Sequence, residues 1–150
     1  MGRIFEALEA FLDSDHWPMS VAEEHKTVKT GFNGDHGEFN CFAQAREEQE
    51  QFVFYSIFPV KTSPKDFEAV AEFLTLVNFG MILGNFEFDY SDGEIRYKTS
   101  VDLEGVEVQS NLLRNLVYAN VLTMDKYFTG LMRVMYGGIT PDEAIREIEG

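Results

Sequence analysis

Two of the three histidines directly follow an aspartate, a pairing that can support metal binding or acid–base chemistry. Asp13, Asp15 and His16 lie within one short segment, and Asp35 precedes His36 in a glycine-rich stretch. A zinc site needs a second ligand cluster at a suitable spacing, and a calcium loop needs a glycine among its ligands. Neither accompanies Asp13, Asp15 and His16, and the glycines around Asp35 and His36 are explained by a turn. We therefore interpret both groups as surface loops and predict no metal site and no cofactor.

A second group of carboxylates, Asp89, Asp92 and Glu94, surrounds one predicted turn. Paired carboxylates perform acid–base catalysis when burial or a shared site shifts their pKa values, and the sequence shows neither condition. It also lacks the signatures of nucleotide-binding loops, serine hydrolases and zinc metalloproteases. We therefore predict no catalytic residues and no enzymatic activity. The alternative is a small-molecule binder or enzyme in which His25 or His36 lies beside a carboxylate in a closed cleft.

The composition limits the class of protein and of partner. The 150 residues include 12 Lys and Arg against 26 Asp and Glu, and the formal net charge is -14. Nucleic acids and anionic membranes need clustered positive charge, so we expect neither as a partner. The length fits one domain over residues 1–150. Cys41 is the only cysteine, and the N-terminus lacks a signal-peptide pattern, so we predict a cytoplasmic protein.

Hydrophobic periodicity predicts an N-terminal helix followed by three strands. The buried face of the helix would comprise Ile4, Phe5, Leu8, Phe11 and Leu12. Alternation between residues 24 and 59 predicts a three-stranded antiparallel meander. With residues 47–50 as a four-residue loop, Ala43 lies opposite Phe54 and Phe42 opposite Tyr55. The second sheet face then carries four apolar residues: Phe42, Val53, Tyr55 and Ile57.

A helix and a hairpin are predicted next. Ser63 can cap the helix, whose buried stripe comprises Phe67, Val70, Ala71, Leu74 and Val77, and Phe73 and Leu76 widen that stripe beyond one packing surface. Asp92-Gly93 predicts a two-residue hairpin turn. That turn pairs Glu87 with Lys98 and Asp89 with Arg96. One face of the hairpin is then apolar, with Phe86, Phe88, Tyr90, Ile95, Tyr97 and Thr99.

The C-terminal third of the chain predicts two helices. Residues 106–136 form a long apolar pattern that Thr129 and Gly130 can kink or divide, and Gly137-Gly138 ends it. Thr140 and Glu143 have the spacing of a capping box, which predicts a short final helix.

With this order of elements, the sequence resembles the YbjN family of bacterial proteins. The residues that carry the resemblance are 78–87, 92–97 and 136–145, which read NFGMILGNFE, DGEIRY and YGGITPDEAI. The resemblance implies an α+β fold like that of type III secretion chaperones, in which an antiparallel sheet packs against helices. Such chaperones are small, acidic and usually dimeric. The family is labelled as regulators of sensory transduction, which names no reaction and supplies no catalytic residues.

Surplus apolar surface predicts two contact regions. The middle helix and the long helix carry more apolar residues than one packing surface needs. We therefore predict a homodimer whose interface includes Phe73, Leu76 and Val77, with deeper burial within one chain as the alternative. The face with Phe42, Val53, Tyr55 and Ile57 could instead hold a protein or peptide partner, or be covered by loops or by a second subunit. We therefore expect a non-enzymatic, chaperone-like or regulatory protein that binds a protein or peptide.

Overall fold

The structure, a computed structural model, describes residues 2–22 and 27–150. The described residues form four α-helices and six strands of one antiparallel sheet. The helices are α1 (Arg3–Ser14), α2 (Phe67–Asn78), α3 (Ser110–Tyr136) and α4 (Pro141–Glu149). The strands are β1 (Ser20–Ala22), β2 (Thr27–Asn33), β3 (Glu38–Arg46), β4 (Gln51–Ile57), β5 (Asn85–Phe88) and β6 (Ile95–Asp102).

The strand order is β1-β2-β3-β4-β6-β5, so the C-terminal hairpin joins the meander through pairing of β4 with β6. The register predicted for β3 and β4 is confirmed, with Ala43 opposite Phe54 and Phe42 opposite Tyr55. Two features were not predicted: the short edge strand β1, and the pairing that makes one sheet from two separate strand groups.

The predicted pairing of the two hairpin strands, β5 and β6, is wrong by two residues. Phe88 pairs with Ile95, and residues 89–94 form a longer connection. The side chain of Asp89 accepts hydrogen bonds from Ser91, and Thr62 donates its N–H to the Gly93 carbonyl, 2.9 Å away. These contacts hold the wider loop.

The residues predicted for each face of the hairpin remain on the same face, because a two-residue shift in strand pairing preserves the alternation of side chains. Of the two predicted ion pairs, Glu87 with Lys98 is present at 2.9 Å, whereas Arg96 bonds to Glu87 and not to Asp89. Tyr90 lies outside the strand and is largely exposed.

All four helices contribute to a core on one face of the sheet. The predicted α1 stripe is confirmed, since Ile4, Phe5, Leu8, Phe11 and Leu12 are all buried. Alternate residues of β3, β4 and β6 are buried against the helices, in the pattern expected of a sheet with one covered face.

The middle helix begins later than predicted. A single 3₁₀ turn, Pro64–Asp66, precedes α2, and Ser63 makes no capping hydrogen bond. The long helix also begins later, at Ser110. It continues through Gly130, where α2 and α4 approach it: a Cβ there would lie 2.4 Å from Ile148 Cδ1 and 3.1 Å from Phe73 Cζ. Gly130 is therefore a close-packing position and not a break. At α4, Thr140 Oγ1 accepts from the Glu143 N–H as predicted.

Candidate functional site

The sheet face opposite the helices carries the four residues predicted to contact a partner. Phe42 and Tyr55 are cross-strand neighbours on β3 and β4, and Val53 and Ile57 lie on either side of Tyr55. All four are neither buried in the core nor fully exposed. The strand register places these side chains beside one another on the face away from the helices, so an apolar stripe is accessible from outside the subunit. We call these four residues the open-face stripe.

Positive charge surrounds the open-face stripe. Lys29 is the cross-strand neighbour of Phe42, and Lys98 is that of Tyr55. The guanidinium of Arg96 lies over the Tyr55 ring, with Cζ 4.3 Å from its centroid. Arg46 lies at one end of the same face, so four of the chain's 12 Lys and Arg residues are here. Glu38, Glu87 and Asp102 lie on the same face, so positive and negative charges nearly balance there, in a chain with a net charge of -14.

One carboxylate holds two of these cations in place. Glu87 Oε1 accepts from Arg96 Nε at 2.7 Å, and Oε2 accepts from Lys98 Nζ at 2.9 Å. Partial burial would raise the pKa of Glu87, but the hydrogen bonds and charges of Lys98 and Arg96 outweigh it and lower that pKa. Glu87 is therefore the ionised partner that keeps Arg96 against Tyr55.

A shallow cavity of about 390 Å³ lies beside the open-face stripe. Its walls include Val53, Tyr55, Gln44, Arg46 and Lys98. Aromatic, aliphatic, amide and cationic groups line one surface, which suits an extended peptide better than a small apolar molecule.

A second apolar surface lies where α2 ends. Phe79 is 90% exposed and Ile82 88%, Leu83 also projects into solvent, and Leu76 on the last turns of α2 is 42% exposed. We call Leu76, Phe79, Ile82 and Leu83 the connector patch. The run of residues 73–86 contains no charged residue. Hydrophobic periodicity did not indicate Phe79 and Ile82 as contact residues, because they follow α2 and belong to no amphipathic stripe.

Two of the three residues predicted for a dimer interface lie inside the subunit. Phe73 is fully buried against Tyr127 and the surface at Gly130, and Val77 is buried as well. Neither can contact a second subunit in this conformation, because the subunit's own helices cover both. Leu76 is the exposed member of the predicted set.

The histidine and carboxylate groups are separated in the structure. Asp15 accepts hydrogen bonds from the side chains of Arg114 and Tyr118. Asp92 pairs with Lys61 at 2.8 Å in the open hairpin loop. Among residues 2–22 and 27–150, no group of three or more His, Cys, Asp or Glu side chains could hold a metal ion.

His36 does meet a carboxylate, one that the sequence did not indicate. Asp125 on α3 accepts from the His36 N–H at 2.8 Å and from the Asp35 N–H at 3.2 Å, and its Oδ2 lies 3.0 Å from His36 Nδ1. Burial would raise the pKa of Asp125, but the hydrogen bonds and charge from His36 and the Asp35 N–H lower it overall.

This arrangement fits a clamp between the β2–β3 loop and α3. The neighbouring groove of about 440 Å³ is open and mixed in polarity, with Lys126, Arg133 and Glu147 in its walls. The alternative of an acid–base cleft required a closed pocket and a raised carboxyl pKa, and at His36 neither is present. His25 lies outside the described residues. The one signal for Asp125 was a charged residue within the apolar pattern of α3.

No helix among the residues that the structure describes is long and apolar enough to cross a membrane.

Comparison with known proteins identifies the family. The family model YbjN, described as "Putative bacterial sensory transduction regulator", matches residues 5–133. The chain belongs to this family, as its resemblance predicted. No curated protein matches the sequence.

Solved structures show the fold. YbjN from E. coli superposes with a TM-score of 0.57 at 13% identity, covering 87% of each chain. A chain of the ExsC–ExsE complex gives 0.58 at 13% identity, covering 86% of this chain and 96% of that one. A chain of the HopA1–SchA chaperone–effector complex gives 0.52 at 14%, covering 85% and 95%. The α+β fold of type III secretion chaperones is therefore confirmed.

Proposed function

We propose that this chain is a non-enzymatic, chaperone-like or regulatory protein of the cytoplasm, which acts as one domain and holds an extended segment of a protein partner on its open-face stripe. One observation carries the proposal. The helices cover one face of the sheet, and the other face presents Phe42, Val53, Tyr55 and Ile57 as a continuous accessible row. Accessible apolar rows bordered by polar groups are typical of protein contact sites.

The chemistry of the row suits a peptide. Apolar side chains of a partner can lie between Phe42 and Tyr55, while its backbone and polar groups meet Gln44, Lys98 and Arg96 at the border. The fold likeness to a chain of a chaperone–effector complex supports protein binding as the class of function, and the choice of face rests on this chain's own residues.

The test compares partners captured from native lysate by wild type and by the Phe42→Ser/Tyr55→Ser double variant. Both residues lie outside the helix-covered core, so the variant is expected to fold, which urea unfolding verifies. Leu122→Ser, at an exposed position of α3, is the matched control. The proposal predicts partners that wild type and the control retain and the double variant loses. If the double variant retains every partner, the open-face stripe is not the binding surface.

We further propose that two copies associate through the connector patch. Four apolar side chains in each copy, from 42% to 90% exposed, would bury on the order of 800 Å² in a symmetric pair, so they form the apolar centre of an interface that neighbouring residues extend toward the roughly 1,200 Å² of a specific contact. Two chains of net charge -14 repel each other, and an uncharged surface such as residues 73–86 is where they can approach most closely.

Light scattering at micromolar concentration tests the association. Wild type is expected at twice the monomer mass of 17.2 kDa, and the Phe79→Ser/Ile82→Ser double variant at the monomer mass. Tyr136→Ser replaces a large exposed side chain elsewhere, 67% exposed, and should leave the mass unchanged. A wild-type mass near 17.2 kDa would exclude the dimer, and a dimeric double variant would exclude this surface.

A further inference from the structure

A side chain, and not a strand, occupies the outer edge of β5. This strand lies at the end of the sheet and pairs only with β6 among the described strands. Asn78, the last residue of α2, donates from Nδ2 to the Phe86 carbonyl oxygen at 3.1 Å and accepts at Oδ1 from the Phe86 N–H at 2.7 Å. One amide side chain therefore makes the two hydrogen bonds that a neighbouring strand would make with Phe86, and Asn85 Nδ2 donates a further one to the same carbonyl oxygen at 3.1 Å.

The alternation of hydrogen bonds explains why this position needs a partner. Residues of an antiparallel strand alternately bond to the paired strand and point their N–H and C=O away from it. Asp89 donates its N–H to the Glu94 carbonyl at 2.9 Å. Because every second residue bonds to the same neighbour, residues 85 and 87 also direct their backbone groups toward β6. Phe86 and Phe88 thus direct their backbone groups outward, and Asn78 occupies one of these two positions.

Without Asn78, the outer edge of β5 could form backbone hydrogen bonds with β5 of a second copy of the chain. An unpaired strand edge is a template for pairing with another chain. Two β5 strands in antiparallel contact would place Phe86 and Phe88 of each copy on the same face. The charged residue of β5, Glu87, is paired with Arg96 and Lys98 of its own subunit, which reduces the charge repulsion between two such strands.

We propose that Asn78 is an edge-closing residue that prevents β5 from pairing with β5 of a second copy. Its amide satisfies the Phe86 backbone from within the chain, so an incoming strand would have to break two existing hydrogen bonds before forming its own. Association of the protein is thereby directed to side-chain surfaces and away from the edge of the sheet. This inference holds whether or not the open-face stripe binds a partner.

The test uses Asn78→Ala, which removes both hydrogen bonds, and Asn78→Asp, which keeps an acceptor for the Phe86 N–H and loses the donor. Thr75→Ala, at an exposed position on the same helix, is the matched control. The first measurement is amide hydrogen exchange at Phe86. Wild type and Thr75→Ala should protect this amide, and Asn78→Ala should exchange it at least tenfold faster while core amides such as that of Phe54 stay protected.

The second measurement titrates a fluorescent synthetic peptide of residues 83–90, LGNFEFDY, into each protein. Asn78→Ala should bind it at least tenfold more tightly than wild type, with Asn78→Asp between them. Equal peptide affinity of wild type and Asn78→Ala would overturn the proposal, as would unchanged exchange at Phe86. If Asn78→Ala does not fold, Asn78→Asp decides by the same two criteria.

Discussion

The side-chain amide of Asn120, midway along α3, lies 2.9 Å from the carbonyl oxygen of Phe54 in β4 and donates a hydrogen bond to it. The same Nδ2 atom donates to the Tyr97 carbonyl in β6 at 3.0 Å. Its Oδ1 atom accepts from the Ser56 hydroxyl. Asn120 is completely buried, so one polar side chain ties the longest helix to the two strands whose pairing unites the sheet.

Asn120→Ala is expected to lower the free energy of unfolding by about 2–4 kcal/mol, because it leaves a buried Ser56 hydroxyl without its acceptor and removes two donated hydrogen bonds. Urea unfolding followed by circular dichroism measures the change. Asn115→Ala, at an exposed position on the same helix, should change stability by less than about 0.5 kcal/mol. Equal effects of the two substitutions would show that the buried network adds no stability.

Asp125 predicts a pH dependence of stability. Its pKa is lower in the folded protein than in the unfolded chain, so its stabilising contribution is complete above the unfolded value of about 3.9 and is lost as pH falls through the folded value. Asp125→Asn should therefore be less stable than wild type at pH 5, and the difference should shrink as pH is lowered below about 4. Exposed Asp13→Asn is the control. A difference that stays constant from pH 5 to pH 3 would contradict this role.

Cys41 is expected to be unreactive in the folded protein. Burial raises the pKa of its thiol to about 12, against a smaller opposing effect of the Ser56 hydroxyl, and the thiolate is the reactive form. An aromatic disulfide reagent at pH 8 should therefore react only slowly with the Cys41 thiol of native protein. In urea it should rapidly modify one thiol per chain. Rapid modification of native protein would show that the strand segment around Cys41 opens readily.

Phe73 and Leu76 differ in what they stabilise. Phe73→Ala should lower the free energy of unfolding by about 3–5 kcal/mol at every protein concentration, because it empties a position in the subunit's own core. Leu76→Ala should cost less than about 1 kcal/mol in a dilute monomer. Urea unfolding at two concentrations tenfold apart tests both. A Phe73→Ala effect that depends on concentration would instead place Phe73 at an interface between subunits.

Local patterns in the sequence determined the helices, the faces of the strands and the β3–β4 register. The α1 stripe and the Phe42–Tyr55 pair depend on side-chain periodicity and on one short loop, and both are properties of neighbouring residues. The hairpin faces were predicted correctly for the same reason, although the pairing was two residues off.

Only the tertiary structure decided which apolar residues are core and which polar residues meet. The sequence predicted Phe73 as an apolar residue beyond the buried stripe of α2. In the structure it is buried against Gly130 and Tyr127 of α3. Residues 89–94 form a longer loop than the predicted two-residue turn, and Thr62, which is distant in sequence, donates a hydrogen bond to Gly93 within it. His36 meets Asp125 across 89 residues. Such contacts depend on how helices pack on the sheet, and periodicity along one element carries no information about the element that will cover it.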